Sequence, residues 1–275
     1  MQSRLNELLL KTRQDSRLTW SEQIALAEDT GLSWREVEEI ALELGIMPLR
    51  YQRNLDAISI KEQLLLFRSR VAVIGCGGLG GYVIEELARL GVGTICAWDY
   101  DQFEEHNLNR QFLAQINSIG QSKVETAAAR IKAINPVVQF AGFPRQFAGL
   151  EDREFLVGTQ VVIDALDNIP SRLDLARVCR ELKIPLVHGA VSGWYGQLST
   201  QFPGETTLEQ IYGHFDSSQG PVANPPVLSF LPATIASVQV AEATKIIIGR
   251  GDLLRGKLMI IDLLNMDIDI LDINT

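Results

Sequence analysis

Two apolar rhythms alternate along the middle of this chain. Short unbroken runs, "VAVIG" from Val71, "GTICAWD" from Gly93, "VVIDALD" from Val161 and "PLVHGAV" from Pro185, leave no polar face and predict strands buried on both sides. Between them lie stretches with helical spacing: "GYVIEELARLG", apolar at Val83, Ile84, Leu87 and Leu90, then "SKVETAAARIKAIN" closed by Pro136, and "SRLDLARVCRELK". Strand and helix taking turns predict an α/β fold, a Rossmann-like and mostly parallel sheet with helices on both faces. Beyond residue 190 the rhythm changes. "WYGQLSTQF" predicts an antiparallel strand, "TIASVQVAEATKIIIG" a long helix ended by Gly249, and "GKLMIIDLLNMDIDILDI" two antiparallel strands around Asn265 and Met266. The intervening "GETTLEQIYGHFDSSQGPVANPPV" reads as a turn-rich loop.

Residues 1–47 differ from the rest and predict a small α-helical N-terminal module, with the α/β domain over 48–275. Thr19 with Glu22, and Ser33 with Glu36, are capping boxes, each followed by apolar residues at helical spacing. Two helices joined near Gly31 resemble a helix-turn-helix. The second carries Glu36, Glu38, Glu39 and Glu43 against Arg35, which makes it a poor surface for phosphates and favours packing or partner docking.

Composition narrows the function. A chain of 275 residues, 46% hydrophobic and 21% charged with a formal charge of −9, is an ordinary globular protein and a poor general binder of nucleic acid. Its three cysteines, Cys76, Cys96 and Cys179, form no C-x-x-C pair, so neither a disulfide framework nor a four-thiolate zinc site is expected. The N-terminal "MQSRLNELLLKTRQ" is too short an apolar run for a signal peptide. No stretch reads as the roughly 18 apolar residues of a membrane span. A cytoplasmic protein with no membrane partner is therefore expected.

The chemistry starts at Gly75-Cys76-Gly77-Gly78-Leu79-Gly80, between a strand and a helix. Here Gly75 permits the turn, Gly77 lets backbone approach phosphate, and Gly80 allows close packing. Asp99, 19 residues after Gly80, ends the second strand where a carboxylate accepts from ribose hydroxyls. This much says nucleotide, without saying which. "EEHNLNRQF" then supplies Asn107, Arg110 and Gln111, and "GQSKVE" puts Lys123 at a helix start. An Arg and a Lys converging on the phosphate turn neutralise a triphosphate and have no use for a nicotinamide. "DALDN" places Asp164 and Asp167, hard oxygen ligands, at the carboxyl edge of the sheet. His106 reads as a bystander, His188 as a satisfied buried histidine, and His214 has no assignable role. Cys76 reads as a packing residue whose place near a helix N-terminus would lower its pKa.

Taken as a set, "RYQRN", "GCGGLGG", "DYDQFEEHNLNRQ", "GQSKVE", "INP", "DALDN" and "SVQVAEATKIIIG" resemble the ThiF/MoeB/HesA adenylyltransferases, relatives of ubiquitin-activating enzymes, from about residue 50 to the C-terminus. The resemblance implies ATP and Mg2+, and a ubiquitin-like sulfur-carrier protein whose C-terminal Gly-Gly carboxylate attacks the α-phosphate to give an acyl-adenylate and pyrophosphate. It implies that Asp99 holds the ribose with Asp101 beside it, and that Gly75, Gly77, Gly78 and Gly80 line the phosphate turn. Asn107, Arg110, Gln111 and Lys123 then contact the phosphates, and Asp167 binds magnesium next to Asn168. Arg53, in "RYQRN", resembles an arginine that reaches the triphosphate from the other subunit, so a homodimer is implied.

Two departures shape the expectation. Many relatives carry two C-x-x-C pairs for structural zinc, and some use a cysteine in the crossover loop, whereas this chain has no cysteine after Cys179. No zinc and no covalent carrier intermediate are expected, which leaves adenylation for molybdopterin or tungstopterin, thiamine or related sulfur transfer. The competing readings are a nucleotide-binding scaffold without catalysis, adenylation of a peptide or small carboxylate, and an NAD-dependent oxidoreductase.

Overall fold

The computed structural model describes residues 17–213 and 226–273. Eight strands form one sheet in the order β10-β9-β8-β7-β6-β3-β4-β5. Its parallel half comprises β3 (Arg70–Ile74), β4 (Thr94–Trp98), β5 (Gln139–Phe143), β6 (Val161–Asp164) and β7 (Leu186–Ser192). On the far side β8 (Tyr195–Gln201), β9 (Lys257–Asp262) and β10 (Asp267–Asp272) run antiparallel, the last two joined through Asn265 and Met266 as the sequence predicts. The strand order reverses at β3, flanked by β4 and β6. A crevice opens there at the carboxyl ends of the strands, where open α/β sheets bind ligands.

Pleating sends alternate residues of β3 to opposite faces. Val71 and Val73 join the apolar layer under α4 (Gly78–Leu90), α5 (Lys123–Ile134) and α8 (Phe230–Ile248). Ala72 and Ile74 join the layer under α6 (Ile169–Leu182), α7 (Thr207–Tyr212) and the 3-10 turn Gly149–Leu156. α8 is long and apolar enough to cross a membrane, contrary to the sequence reading that no stretch qualifies. Here it is a core helix, with Leu231, Ile235, Ala236, Val240 and Ala243 buried in the α4 layer.

Before the sheet, α1 (Trp20–Thr30) and α2 (Trp34–Glu43) carry the two predicted capping boxes, and Gly31 ends α1 in the left-handed conformation. Two short parallel strands, β1 (Arg17–Leu18) and β2 (Met47–Pro48), close this small unit. Arg35 of α2 reaches out of it and donates to the carbonyls of Gly93 (2.6 Å), Val137 (3.2 Å) and Phe67 (3.4 Å). The sequence reading omits β1 and β2 and three longer elements as well. α3 (Ile60–Arg68) has its own capping box at Ser59 and Glu62, β5 is an edge strand interrupted by Gly142, and α7 lies inside the stretch read as loop. His214 and most of the remainder of that stretch fall outside the described residues.

Candidate active site

The glycine turn and the turn after β6 meet across the crevice. A side chain on Gly75, whose φ is +102°, would meet the Ala165 carbonyl at 2.6 Å, and one on Gly80 would meet the Gly75 carbonyl at 1.8 Å. These two glycines therefore close the turn against its neighbour. Gly77 is different: a β-carbon there meets only the Gln111 amide, at 3.6 Å, so its α-carbon faces open space beside Gln111. Gly78 opens α4 against Pro232. The N-terminus of that helix, with its unpaired amides, faces the crevice.

Asp99 follows β4 directly. Its Oδ2 accepts from the Cys76 amide at 2.7 Å and its Oδ1 from the Asp101 amide at 2.8 Å, so it braces the glycine turn. Each oxygen keeps a second lone pair for a ribose hydroxyl. Burial pushes its pKa up, opposed by the Lys123 charge and by both amides. Lys123, buried at the start of α5, donates from Nζ to Asp101 Oδ2 at 2.8 Å. The charge of Asp101, then burial and the charges of Asp167 and Asp99, push the Tyr100 hydroxyl pKa up.

The loop after β4 contributes three predicted residues in three different ways. Asn107 is buried and spends its Oδ1 on the Glu104 amide at 3.0 Å, which folds the loop. Gln111 is 7% exposed, with its Oε1 buried and lacking any partner, which is costly, and its Nε2 is the side-chain atom nearest Gly77. Arg110 donates to the His106 carbonyl (3.1 Å) and Asn109 Oδ1 (2.9 Å), and meets no carboxylate among the described residues. A guanidinium on this loop without a carboxylate partner suits phosphate. His106 pairs with Glu104 at 3.3 Å on the exposed side of the loop.

The two aspartates of "DALDN" separate. Asp167 is exposed and receives only Asn168 Nδ2, at 3.2 Å, while Asn168 Oδ1 caps α6 through Ser171. Asp164, expected as a ligand, is fully buried and turned inward: Oδ2 accepts from His188 Nδ1 at 2.7 Å and Oδ1 from the Leu166 amide at 2.9 Å. It is unavailable to a metal. His188 is the buried, satisfied residue expected, its pKa lowered by burial against the pull of Asp164. Cys76 also departs from expectation. Burial raises its thiol well above the ordinary range, which outweighs any effect of the helix end and leaves it a packing residue.

Arg53 is not brought to this site within one chain. It is exposed on the 3-10 turn Leu49–Asn54, whose Tyr51 bonds Asn135 and abuts Gly91, the cap at the far end of α4. Thirteen residues of helix separate that end from the glycine turn, about 20 Å at 1.5 Å per residue and beyond the reach of an arginine. Sequence reasoning missed Arg172, Tyr212, Gln197 and Gln239, which surround Asp164 from four elements. No local signal marks them.

The ThiF family model matches residues 51–275. The SAMP-activating enzyme E1 of Haloferax volcanii is 36% identical over 222 residues, covering 79% of this chain and 82% of that protein. The sulfur carrier protein adenylyltransferase of Thermus thermophilus is 33% identical, covering 78% and 83%. The chain spans about half the length, 48%, of relatives such as the adenylyltransferase and sulfurtransferase MOCS3 of Drosophila yakuba. Among solved structures, E. coli MccB with ATP shares the fold, with a TM-score of 0.70 at 19% identity over 91% of this chain and 82% of that one. Glycine turn, acidic strand end, "NLNRQ" loop and DN turn all stand around one crevice, and the chain belongs to the ThiF family.

Proposed function

We propose that this protein is an adenylyltransferase that joins AMP from ATP to the C-terminal Gly-Gly carboxylate of a ubiquitin-like sulfur-carrier protein. The observation that carries the reading is the conjunction, on one loop, of Arg110, which meets no carboxylate among the described residues, and Gln111, whose side-chain amide lies beside Gly77. A triphosphate accepts from both the Arg110 guanidinium and the Gln111 Nε2, the amide atom nearest Gly77. The naming of similar proteins as SAMP-activating and sulfur carrier adenylyltransferases supports the substrate class.

In this reading the ribose hydroxyls donate to Asp99, and the amides opening α4 face the phosphates at Gly77 and Gly78. Arg110 and Lys123 hold the charge that grows on the leaving pyrophosphate. The carrier carboxylate is already an anion at neutral pH. It attacks the α-phosphorus, its oxygen forms the new O–P bond, and the bond to pyrophosphate breaks without any proton transfer. This fits a site that offers cations and amides. Asp167, exposed and nearly unpartnered, with Asn168 beside it, fits a Mg2+ ion held mainly by phosphate oxygens and water. When bound, that ion neutralises phosphate charge and helps align the chain of the triphosphate. Arg53, too far from the glycine turn of its own chain, would serve the site of a second copy.

The test is carrier-dependent exchange of pyrophosphate into ATP, using small carriers that end in Gly-Gly. Exchange is expected with at least one carrier and is expected to be abolished by Asp167→Ala. Mixing Arg53→Ala with Lys123→Ala chains restores part of the activity if Arg53 crosses between copies. Tight NAD binding without exchange on any carrier would overturn the reading.

A further inference from the structure

Behind Asp167 lies a buried polar cluster that the reaction itself does not use. His188 Nδ1–H donates to Asp164, so its Nε2 is the acceptor and takes the Tyr212 hydroxyl at 3.0 Å. The Tyr212 oxygen in turn accepts from Arg172 Nη1 at 3.2 Å and from Gln197 Nε2 at 2.5 Å. The same guanidinium donates from Nη2 to the Leu166 carbonyl at 2.5 Å, and its Nε faces Asp164 Oδ2 at 3.7 Å. That carbonyl belongs to the peptide that joins Leu166 to Asp167.

The turn is thus fixed at successive backbone groups. Gln239 donates to the Asp164 carbonyl at 2.8 Å, the Ala165 amide donates to Ile74 at 3.0 Å, the Leu166 amide to Asp164 Oδ1, and Arg172 holds the Leu166 carbonyl. Burying a guanidinium, a carboxylate and an imidazole in a core costs more free energy than apolar side chains of the same volume would. A turn that only had to reverse direction would not need them. We infer that Arg172 is a positioning residue, which, supported by Tyr212, sets the Leu166–Asp167 peptide and so presents the Asp167 carboxylate for a divalent cation. This rests on the reading of Asp167 given above. Partners one step behind a metal ligand are typically worth 10–100-fold in affinity.

The experiment compares wild type with Arg172→Lys, which keeps the charge but cannot hold the Leu166 carbonyl and Tyr212 together, and with Tyr212→Phe, which keeps the ring. In the ligand-free full chain, hydrogen exchange of the segment 164–168, carrying the bonded Ala165 and Leu166 amides, should speed up about tenfold in Arg172→Lys and less in Tyr212→Phe. Calorimetric ATP binding should need about tenfold more Mg2+ for half its full affinity in Arg172→Lys, with ATP binding in excess chelator unchanged. Unchanged exchange in the turn, or an unchanged Mg2+ requirement, overturns the proposal. A wild-type chain that binds no ATP at all overturns the nucleotide reading and the magnesium half of this one. The exchange arm still decides whether Arg172 fixes the turn.

Discussion

Gln111→Met separates stability from ligand binding at a single side chain. The Oε1 of Gln111 is buried and unpartnered, and leaving such an acceptor without a hydrogen bond costs about 1–3 kcal/mol. Methionine has nearly the same shape and no polar atom, so the ligand-free variant should recover about 1 kcal/mol, or a rise in Tm of about 2–4 °C. The bound state should change the other way. Losing one hydrogen bond to ATP is worth up to about 1.4 kcal/mol, a tenfold weaker Kd. At an ATP concentration 100 times the wild-type Kd, nucleotide stabilises wild type by about 2.7 kcal/mol and such a variant by about 1.4 kcal/mol. Scanning calorimetry with and without ATP and Mg2+ reads both effects. A ligand-free Tm that falls, or an ATP-induced gain equal to that of wild type, would refute the view that the Gln111 amide is kept for a ligand.

Two further outcomes follow from buried geometry. Gly80→Ala places a methyl 1.8 Å from the Gly75 carbonyl, so the turn must move, and denaturant titration without nucleotide should show a loss of about 1–3 kcal/mol or more; an unchanged midpoint would contradict the close approach. The pKa of His188 is lowered in the fold, so below about pH 6.5 the unfolded chain binds a proton that the folded chain refuses. Stability should therefore fall as pH drops from about 6.5, by up to about 1.4 kcal/mol per unit, and His188→Gln should be less stable at pH 7 yet flatter in this window. An equally steep slope in the variant would mean that other groups carry it.

How far the sequence reached depended on how local each signal was. Strands β3, β4, β6 and β7 were legible because burial on both faces leaves an unbroken apolar run, and the glycine turn because its spacing lies within one βαβ unit. β5 escaped because an edge strand reading "QFAGF" has neither alternation nor β-branched residues. α7 escaped because six residues of helix inside a Gly- and Pro-rich stretch give no period to read. Asp164 shows the deeper limit. A carboxylate at a strand end looks the same in sequence whether it faces solvent or a histidine 24 residues further on. Only the pairing of β6 with β7, which puts Asp164 beside His188, decides between them.

The hook formed by Arg35 bears on where this chain can be cut or recombined. Its guanidinium occupies space that only the absence of a side chain at Gly93 provides, since a β-carbon there would lie 2.8 Å from Nη2 and 1.6 Å from the Phe67 carbonyl. A truncated version starting at residue 48 would take the Arg35 hydrogen bonds from three carbonyls, of which Gly93 keeps the Gln139 amide at 3.0 Å, and leave a slot with nothing to fill it. Lock and key are written into two positions 58 residues apart. Grafting this leading helical pair onto another enzyme of the same fold would need both of them transferred together.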